Sequence, residues 1–372
     1  MKKNILLVFL TLFVLSATSQ DFFHGEFNHR KKYVILTNPT VRNIQTVRYL
    51  VNADLLDVQK GKTRFVGVYY EGQNYDFSQT KEYIEKNNLK KFYLHEVKGN
   101  LKEDDLFETN SCTAELNTIF ENSVAVFFFG GPDIPPGVYG EENTRSVVTD
   151  PGRHYFETTF LFHLLGGFNN ENYEPLLNQK PGYLVTGFCL GMQTMNVATG
   201  GTLIQDIPAE IFGADNPEAA LKIGRANLHR NYWQEMVEDT LLMGINLHTI
   251  KFTENPFFGD FVKVPKRWEP RVYSSHHQAA EKLGKGLEIT AMSPDGKIVE
   301  GLAHSTFSNV FAVQFHPEVP GLYEDLYVRK FHPEDEPMSY NDIIGKQSVK
   351  FHERYWGHIS EIIRKAKNRT KK

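Results

Sequence analysis

The stretch Tyr183-Leu-Val-Thr-Gly-Phe-Cys-Leu-Gly-Met-Gln193 decides the fold. Its apolar first half predicts a buried strand, and a helix is predicted over residues 190–198. Between them, Gly187-Phe-Cys189-Leu-Gly191 has glycines two positions before and after the cysteine, which is typical of a sharp strand-to-helix turn that exposes a nucleophile. Free N–H groups and the helix dipole at such a turn favour a thiolate. We therefore predict a nucleophile elbow at Cys189; the alternative is a buried structural cysteine.

Short apolar runs alternate with helical patterns on both sides of this turn. Strands are predicted at 34–36, 65–70, 92–97, 123–129, 182–186 and 309–315, and helices at 41–55, 78–87, 113–120, 153–165 and 348–365. An antiparallel hairpin is predicted at 287–293 and 298–303, whereas residues 205–270 are irregular. Strands that alternate with helices indicate parallel pairing with crossover connections. We expect an α/β fold with a doubly wound, mostly parallel sheet and flanking helices.

The composition excludes several classes of protein. The 372 residues include 41 Lys plus Arg and 45 Asp plus Glu, so no basic excess is present to neutralise phosphates and a nucleic acid is not an expected partner. A hydrophobic content of 41% and a charged content of 23% exclude collagen-like, disordered and multispan membrane proteins. Two cysteines cannot form a disulfide framework. Cys112 is expected in the core, and Cys189 is expected to stay free.

Residues 1–20 are predicted to be a signal peptide and not part of the fold. Two lysines precede an apolar run from Ile5 to Leu15, and small residues follow it. An uncleaved membrane anchor is the alternative. With a signal peptide or with an anchor, we expect the folded part of the protein outside the cytoplasm, in the periplasm or secreted. Residues 21–372 are predicted to form a single domain with a C-terminal extension at about 321–372. The sequence leaves the oligomeric state open.

A thiol nucleophile needs a base and a group that holds the base, and the sequence offers both. Val313-Gln-Phe-His316-Pro-Glu318 follows a predicted strand at its C-terminal end, where α/β sheets place their ligand sites. Proline after His316 favours an extended conformation, so that Glu318 can orient the imidazole. The same tetrapeptide recurs at residues 331–334, but it follows charged residues and no strand. We therefore choose His316 over His332.

Paired glycines follow another buried strand, in Phe127-Phe-Phe-Gly130-Gly131-Pro132-Asp133. Backbone N–H groups can approach a substrate where no side chain blocks them. The amides of Gly131 and Leu190 are therefore predicted to form an oxyanion hole. The alternative is an ordinary turn.

The motifs G-F-C-L-G-M-Q, F-H-P-E and F-G-G-P-D-I-P-P together resemble class I glutamine amidotransferase-like proteins. The resemblance is closest to their γ-glutamyl hydrolase branch, which includes γ-glutamyl-γ-aminobutyrate hydrolases, and it spans about residues 125–320. It implies a flavodoxin-like architecture in which Cys189 attacks a γ-glutamyl carbonyl. In this reading His316 is the base and acid, and Glu318 orients it.

The resemblance also implies how a small γ-glutamyl substrate is bound. Gln193 would help to bind the glutamyl group, and Ser275 and His276 would line the same pocket. No cofactor is expected. No metal is expected either, because the adjacent His276 and His277 seldom reach one ion together and no acidic or thiol ligand clusters near them in the sequence.

Two departures from the branch concern the leaving group. Arg153-His154-Tyr-Phe-Glu157 has a histidine where the branch often has aspartate, and Leu190 is more typical of the amidotransferases. The predicted function is an exported cysteine hydrolase that cleaves γ-glutamyl amide or peptide bonds through a glutamyl thioester. The alternatives are a glutaminase-type amidotransferase domain acting on glutamine and a non-catalytic ligand-binding protein that retains the fold. A papain-like protease fits less well, because its cysteine lies near the mature N-terminus and Cys189 does not.

Overall fold

The computed structural model describes residues 21–367, so the predicted signal peptide lies outside the described residues. The strands are β1 (Lys32–Thr37), β2 (Thr63–Tyr70), β3 (Phe92–Val97), β4 (Ala125–Phe128), β5 (Leu184–Phe188), β6 (Leu203–Ile204), β7 (Asn246–Thr249), β8 (Lys251–Phe252), β9 (Arg271–Ser274), β10 (Ala279–Ala280), β11 (Leu287–Met292), β12 (Val299–His304), β13 (Val310–Val313), β14 (Val328–Arg329) and β15 (Met338–Ser339). The α-helices are α1 (Val41–Asn52), α2 (Ser78–Lys86), α3 (Thr113–Asn122), α4 (Pro151–Leu165), α5 (Leu190–Ala198), α6 (Ile207–Phe212), α7 (Pro217–Leu221), α8 (Trp233–Met236) and α9 (Tyr340–Lys365).

Nine of these strands form the central sheet, in the order β3-β2-β1-β4-β5-β13-β12-β11-β8. The strands from β3 to β13 are parallel, and β12, β11 and β8 extend the sheet with antiparallel pairings. Without the edge strand β3, the parallel strands follow the flavodoxin-like order of second, first, third, fourth and fifth. The predicted α/β fold is confirmed, and the predicted hairpin is the antiparallel pair of β11 and β12.

The sheet is covered on both faces because successive side chains of its strands point to opposite sides. In β1, Val34 and Leu36 pack with α1, α2 and α9, whereas Tyr33 and Ile35 pack with α3, α4 and α5. Every residue of β4 and of β5 is buried. A strand that is apolar on both faces is stable only between two layers, so these strands form the middle of the molecule.

The C-terminal helix α9 belongs to one of these covering layers. Trp356, Ile359 and Ile363 are fully buried, as the amphipathic pattern predicts, while Val349 is half-buried. The helix begins at Tyr340, eight residues before the predicted start, and the backbone at Gly345 has a φ of 73° that kinks it. Within residues 21–367, no helix is both long and apolar enough to cross a membrane.

The segment between β6 and β11 supplies one wall of the cavity described below. It contains the short helices α6, α7 and α8, and β7 pairs with β9 in a separate antiparallel sheet. Few regular elements lie here, in keeping with the irregular pattern of the sequence. The short β9 leads directly to Ser275 and His276, which it places beside the end of β13.

Candidate active site

Cys189 lies at a strained turn between β5 and α5. Its backbone angles are φ 52° and ψ −108°, a combination that non-glycine residues rarely adopt. The amide of Cys189 donates to the carbonyl of Val313 at 2.9 Å, which ties the turn to β13. A Cβ at Gly191 would lie 2.3 Å from the carbonyl oxygen of Phe128, so only glycine lets α5 start this close to β4. The tight packing holds the cysteine in the predicted elbow.

His316 and Glu318 follow β13 at the same edge of the sheet. The Nδ1 atom of His316 shares a 2.7 Å hydrogen bond with Oε1 of Glu318. The other ring nitrogen, Nε2, lies 3.2 Å from the hydroxyl of Ser275. The backbone amide of His316 donates to the carbonyl of Tyr273 at 2.9 Å, so β9 also fixes the ring. The imidazole is thus oriented by a carboxylate on one side and faces the elbow on the other.

The charges around His316 favour its protonated form. Burial opposes a charged ring, but the Glu318 carboxylate and the charge of Cys189 outweigh it and raise the pKa of His316 to about 10. At neutral pH the ring is therefore protonated and paired with the Glu318 carboxylate beside Cys189. A protonated imidazole beside the cysteine can stabilise a thiolate that attacks the substrate, and it can then donate its proton to the leaving group.

Gly130 and Gly131 line the same cavity, and a buried arginine fixes their peptide. The Arg153 guanidinium donates to the carbonyls of Phe129 at 2.8 Å and Gly130 at 3.2 Å. In a planar trans peptide the N–H points away from the carbonyl, so the amide of Gly131 faces away from Arg153. The sequence interpretation placed the second amide of the hole at Leu190, which follows the cysteine at the start of α5.

A buried ion pair holds this arginine. Arg153 Nε lies 3.2 Å from Oε1 of Glu157, and the same oxygen accepts a 2.8 Å hydrogen bond from the Thr37 hydroxyl. The sequence shows Arg153 and Glu157 only as part of a departure from the γ-glutamyl hydrolase pattern. It did not predict that these two residues fix the glycine turn. His154, between them, is buried, and burial lowers the pKa of its ring to about 3.

The cavity in front of Cys189 has a volume of about 950 Å³. Gln193, Ser275 and His276 all border it, as predicted for the binding residues. The ring of His276 is nevertheless directed away from the cavity, because Nδ1 bonds to the carbonyl of Gln278 at 2.8 Å and Nε2 lies 3.7 Å from Glu300. The expectation that no acidic group accompanies His276 is therefore wrong. Glu300 is distant in sequence, which is why the local pattern did not show it.

Residues that the sequence did not single out complete the cavity wall. They come from α1 and from the C-terminal segment, and include Arg42, Asn43, Tyr49, Tyr327 and Tyr340. The C-terminal segment also supports the histidine turn, since the carbonyl of Pro317 accepts from Trp356 Nε1 at 3.0 Å and from the Tyr323 hydroxyl at 2.5 Å. No local motif marks these residues.

Two residues that the sequence analysis also considered, His332 and Cys112, do not line this cavity. The His332 ring packs edge-on against Trp233 with ring centroids 4.6 Å apart, and it does not border the cavity. Cys112 is fully buried, and burial raises the pKa of its thiol to about 11. Both cysteines are free.

A parallel sheet that carries a cysteine turn and a His–Glu pair at its carboxyl edge has the architecture of the class I glutamine amidotransferase-like proteins. The sequence profile described as Peptidase C26 matches residues 66–318, which is more than half of the chain. The chain therefore belongs to the Peptidase C26 family, whose members are hydrolase-like or amidotransferase-like enzymes.

Individual relatives agree with this assignment. The chain is 30% identical over 207 residues to a Mycobacterium tuberculosis protein whose name assigns it provisionally to the glutamine amidotransferases, and the match covers 55% of this chain and 53% of that protein. It is 30% identical over 212 residues to Protein NtpR of Enterococcus hirae, with 54% of this chain and 72% of the relative covered. A glutamine amidotransferase-like protein of Lactococcus lactis is 32% identical over 190 residues, 51% of this chain and 63% of the relative. The match thus spans about half the length of the mycobacterial relative.

Proposed function

We propose that this protein is an exported cysteine hydrolase that cleaves γ-glutamyl amide or peptide bonds through a glutamyl thioester. The observation that carries the proposal is the strained Cys189 turn, placed at one cavity with the His316–Glu318 pair at 2.7 Å. The N-terminal leader pattern supports a periplasmic or secreted location, and the substrate is a small molecule and not a nucleic acid.

Each step of the reaction has a group in the cavity. The Cys189 thiolate attacks the γ-carbonyl carbon, and the amides of Gly131 and Leu190 stabilise the oxyanion that forms. The carbon–nitrogen bond then breaks, and the amine leaves with the proton of the His316 imidazolium. Water attacks the thioester while His316 takes up a proton. Glutamate is released, and the thiolate–imidazolium pair is restored.

The size of the cavity favours a substrate larger than glutamine. Its volume of about 950 Å³ lies at the upper end of the range for ligand pockets, which is roughly 300–1,000 Å³. The wall extends from the elbow to Arg42 and Asn43 on α1 and to Tyr327 in the C-terminal segment. A glutamyl group beside Gln193 and Ser275 leaves this outer region for an amine or peptide leaving group. We therefore assign the activity to hydrolysis of substituted γ-glutamyl amides.

The test is a comparison of linkages with purified protein that lacks residues 1–20. γ-Glutamyl p-nitroanilide, γ-glutamyl-γ-aminobutyrate, free glutamine and α-glutamyl p-nitroanilide are offered separately, and the released amine or ammonia is measured. We expect turnover of the two substituted γ-linked substrates and little release of ammonia from glutamine. Turnover of the α-linked substrate alone refutes the γ-glutamyl assignment, and preference for free glutamine identifies a glutaminase.

Two cysteine variants provide matched controls. Cys189→Ala should abolish turnover, whereas Cys112→Ala, at the other free thiol, should retain it. An electrophilic glutamine analogue should label the wild type at Cys189 and leave Cys189→Ala unlabelled. Turnover that persists in Cys189→Ala excludes a thioester on this residue.

A further inference from the structure

Four buried side chains outside the proposed catalytic set converge behind the cavity wall. They are His229 in the loop before α8, His248 in β7, His276 after β9, and Glu300 in β12. Each offers one nitrogen or oxygen atom, and these four atoms lie within 4.8 Å of one another.

Among the described residues, the polar atoms at the centre of this cluster have no hydrogen-bond partner outside the cluster. They are both ring nitrogens of His229, Nε2 of His248, Nε2 of His276 and both carboxylate oxygens of Glu300. A buried polar atom that loses its hydrogen bonds to water without gaining a partner destabilises the folded state. Several at one point are therefore unfavourable unless a further group binds them together.

The spacing of the atoms fits one small cation. Oε1 of Glu300 lies 3.0 Å from Nδ1 of His229, 3.5 Å from Nε2 of His248 and 3.7 Å from Nε2 of His276. Four ligands at the usual zinc distances, in a tetrahedron, are about 3.4 Å apart. The three separations bracket this value.

The outer nitrogens of two rings are already fixed. Nδ1 of His248 donates to the carbonyl of Thr249 at 2.9 Å, and Nδ1 of His276 donates to the carbonyl of Gln278 at 2.8 Å. A backbone carbonyl that binds one ring nitrogen leaves the lone pair of the other available for a metal. Both Nε2 atoms point toward Glu300, so the tautomers suit coordination.

The charges in the cluster also suit a cation. In the described part of the chain, the ion-pair contacts of Glu300 are to histidines, and none is to lysine or arginine. A buried carboxylate with no basic side chain beside it is costly, and a divalent cation supplies the missing positive charge.

We propose that His229, His248, His276 and Glu300 bind one zinc-like divalent cation as a closed structural site. All four ligands come from the protein and all are buried, which is typical of structural and not of catalytic zinc. This proposal differs from the expectation, drawn from the sequence, that no metal is bound. The ion would join β7, β12 and the segment after β9, and would hold Ser275 beside His316.

The experiment measures metal content, so it does not depend on hydrolase activity. Protein without a polyhistidine tag, purified without chelator, is analysed by inductively coupled plasma mass spectrometry. We expect close to one zinc per chain in the wild type and in Cys189→Ala, and loss of at least about tenfold in Glu300→Gln and His248→Ala. His154→Ala removes a buried histidine outside the cluster and should keep its metal.

A second measurement needs no variant that might misfold. The apoprotein is titrated with Co²⁺, and the wild type should develop the strong visible absorption of tetrahedral cobalt at one equivalent. Chelation should also lower the melting temperature of the wild type. Absence of metal in the purified wild type, together with no such cobalt spectrum, refutes the proposal. Full metal content in Glu300→Gln and His248→Ala also refutes it, because the ion would then lie elsewhere.

Discussion

The substitution Gly130→Ala tests whether the spacing between Cys189 and His316 limits activity. A Cβ built at Gly130 would lie 2.6 Å from Cε1 of His316 and 3.5 Å from Cβ of Cys189. Ordinary carbon contacts begin at about 3.4 Å, so the cysteine tolerates the methyl group and the imidazole must move by about 1 Å. A displacement of this size between reacting groups lowers rates by about 10²-fold, equivalent to about 2.7 kcal/mol of activation free energy.

The assay is steady-state hydrolysis of γ-glutamyl p-nitroanilide, with thermal unfolding measured on the same preparations. We expect kcat to fall about 10²-fold, with KM and the melting temperature near wild type, because the binding residues are not displaced. Gly182→Ala is the matched control, since a Cβ there meets no atom within 4 Å. A Gly130→Ala enzyme within about threefold of the wild-type kcat would show that the geometry of this edge does not set the rate.

Three further predictions follow from the same site. Iodoacetamide at neutral pH should modify Cys189 and spare Cys112, because burial raises the pKa of the Cys112 thiol to about 11. Peptide mass spectrometry measures the modification at each cysteine, and equal modification of the two would contradict this prediction. The pKa of His316 is raised from 6.5 to about 10, so its stabilising contribution is complete below about pH 6.5 and is lost as the pH rises to about 10. Denaturation of wild type and His316→Gln should therefore give unfolding free energies that converge toward pH 10, and a constant difference would argue against the ion pair. Trp356→Phe removes the donor to the Pro317 carbonyl and should cost about 1 kcal/mol of unfolding free energy and several-fold in kcat; unchanged values of both would exclude a supporting role for this contact.

The parts of the site that the sequence predicted are those that short-range geometry determines. The glycines around Cys189 and the proline after His316 constrain the backbone within a few residues, and each motif directly follows an apolar strand. Because the carboxyl ends of parallel strands share one edge of a sheet, the two motifs meet once the fold class is known.

The parts that were missed depend on contacts across long stretches of chain. His229 lies within the irregular segment and Glu300 lies in the second strand of the hairpin, so no spacing rule relates them. Tertiary contacts also place β3 at the edge of the sheet. The hydrogen bond from Trp356 to the carbonyl of Pro317 is another contact of this kind. The early start of α9 was missed because the kink at Gly345 shifts the apolar stripe there.

The packing of α9 has a consequence for the order in which the candidate active site assembles during synthesis. Trp356 steadies the turn that carries His316, and the Lys32 ammonium caps the far end of the same helix by donating to the carbonyl of Ile363 at 3.0 Å. The nucleophile is translated long before these residues leave the ribosome. The turn that carries His316 therefore gains its contact with Trp356 only after α9 has been synthesised and has docked. Full assembly of the histidine turn is thus a late step in the folding of this chain.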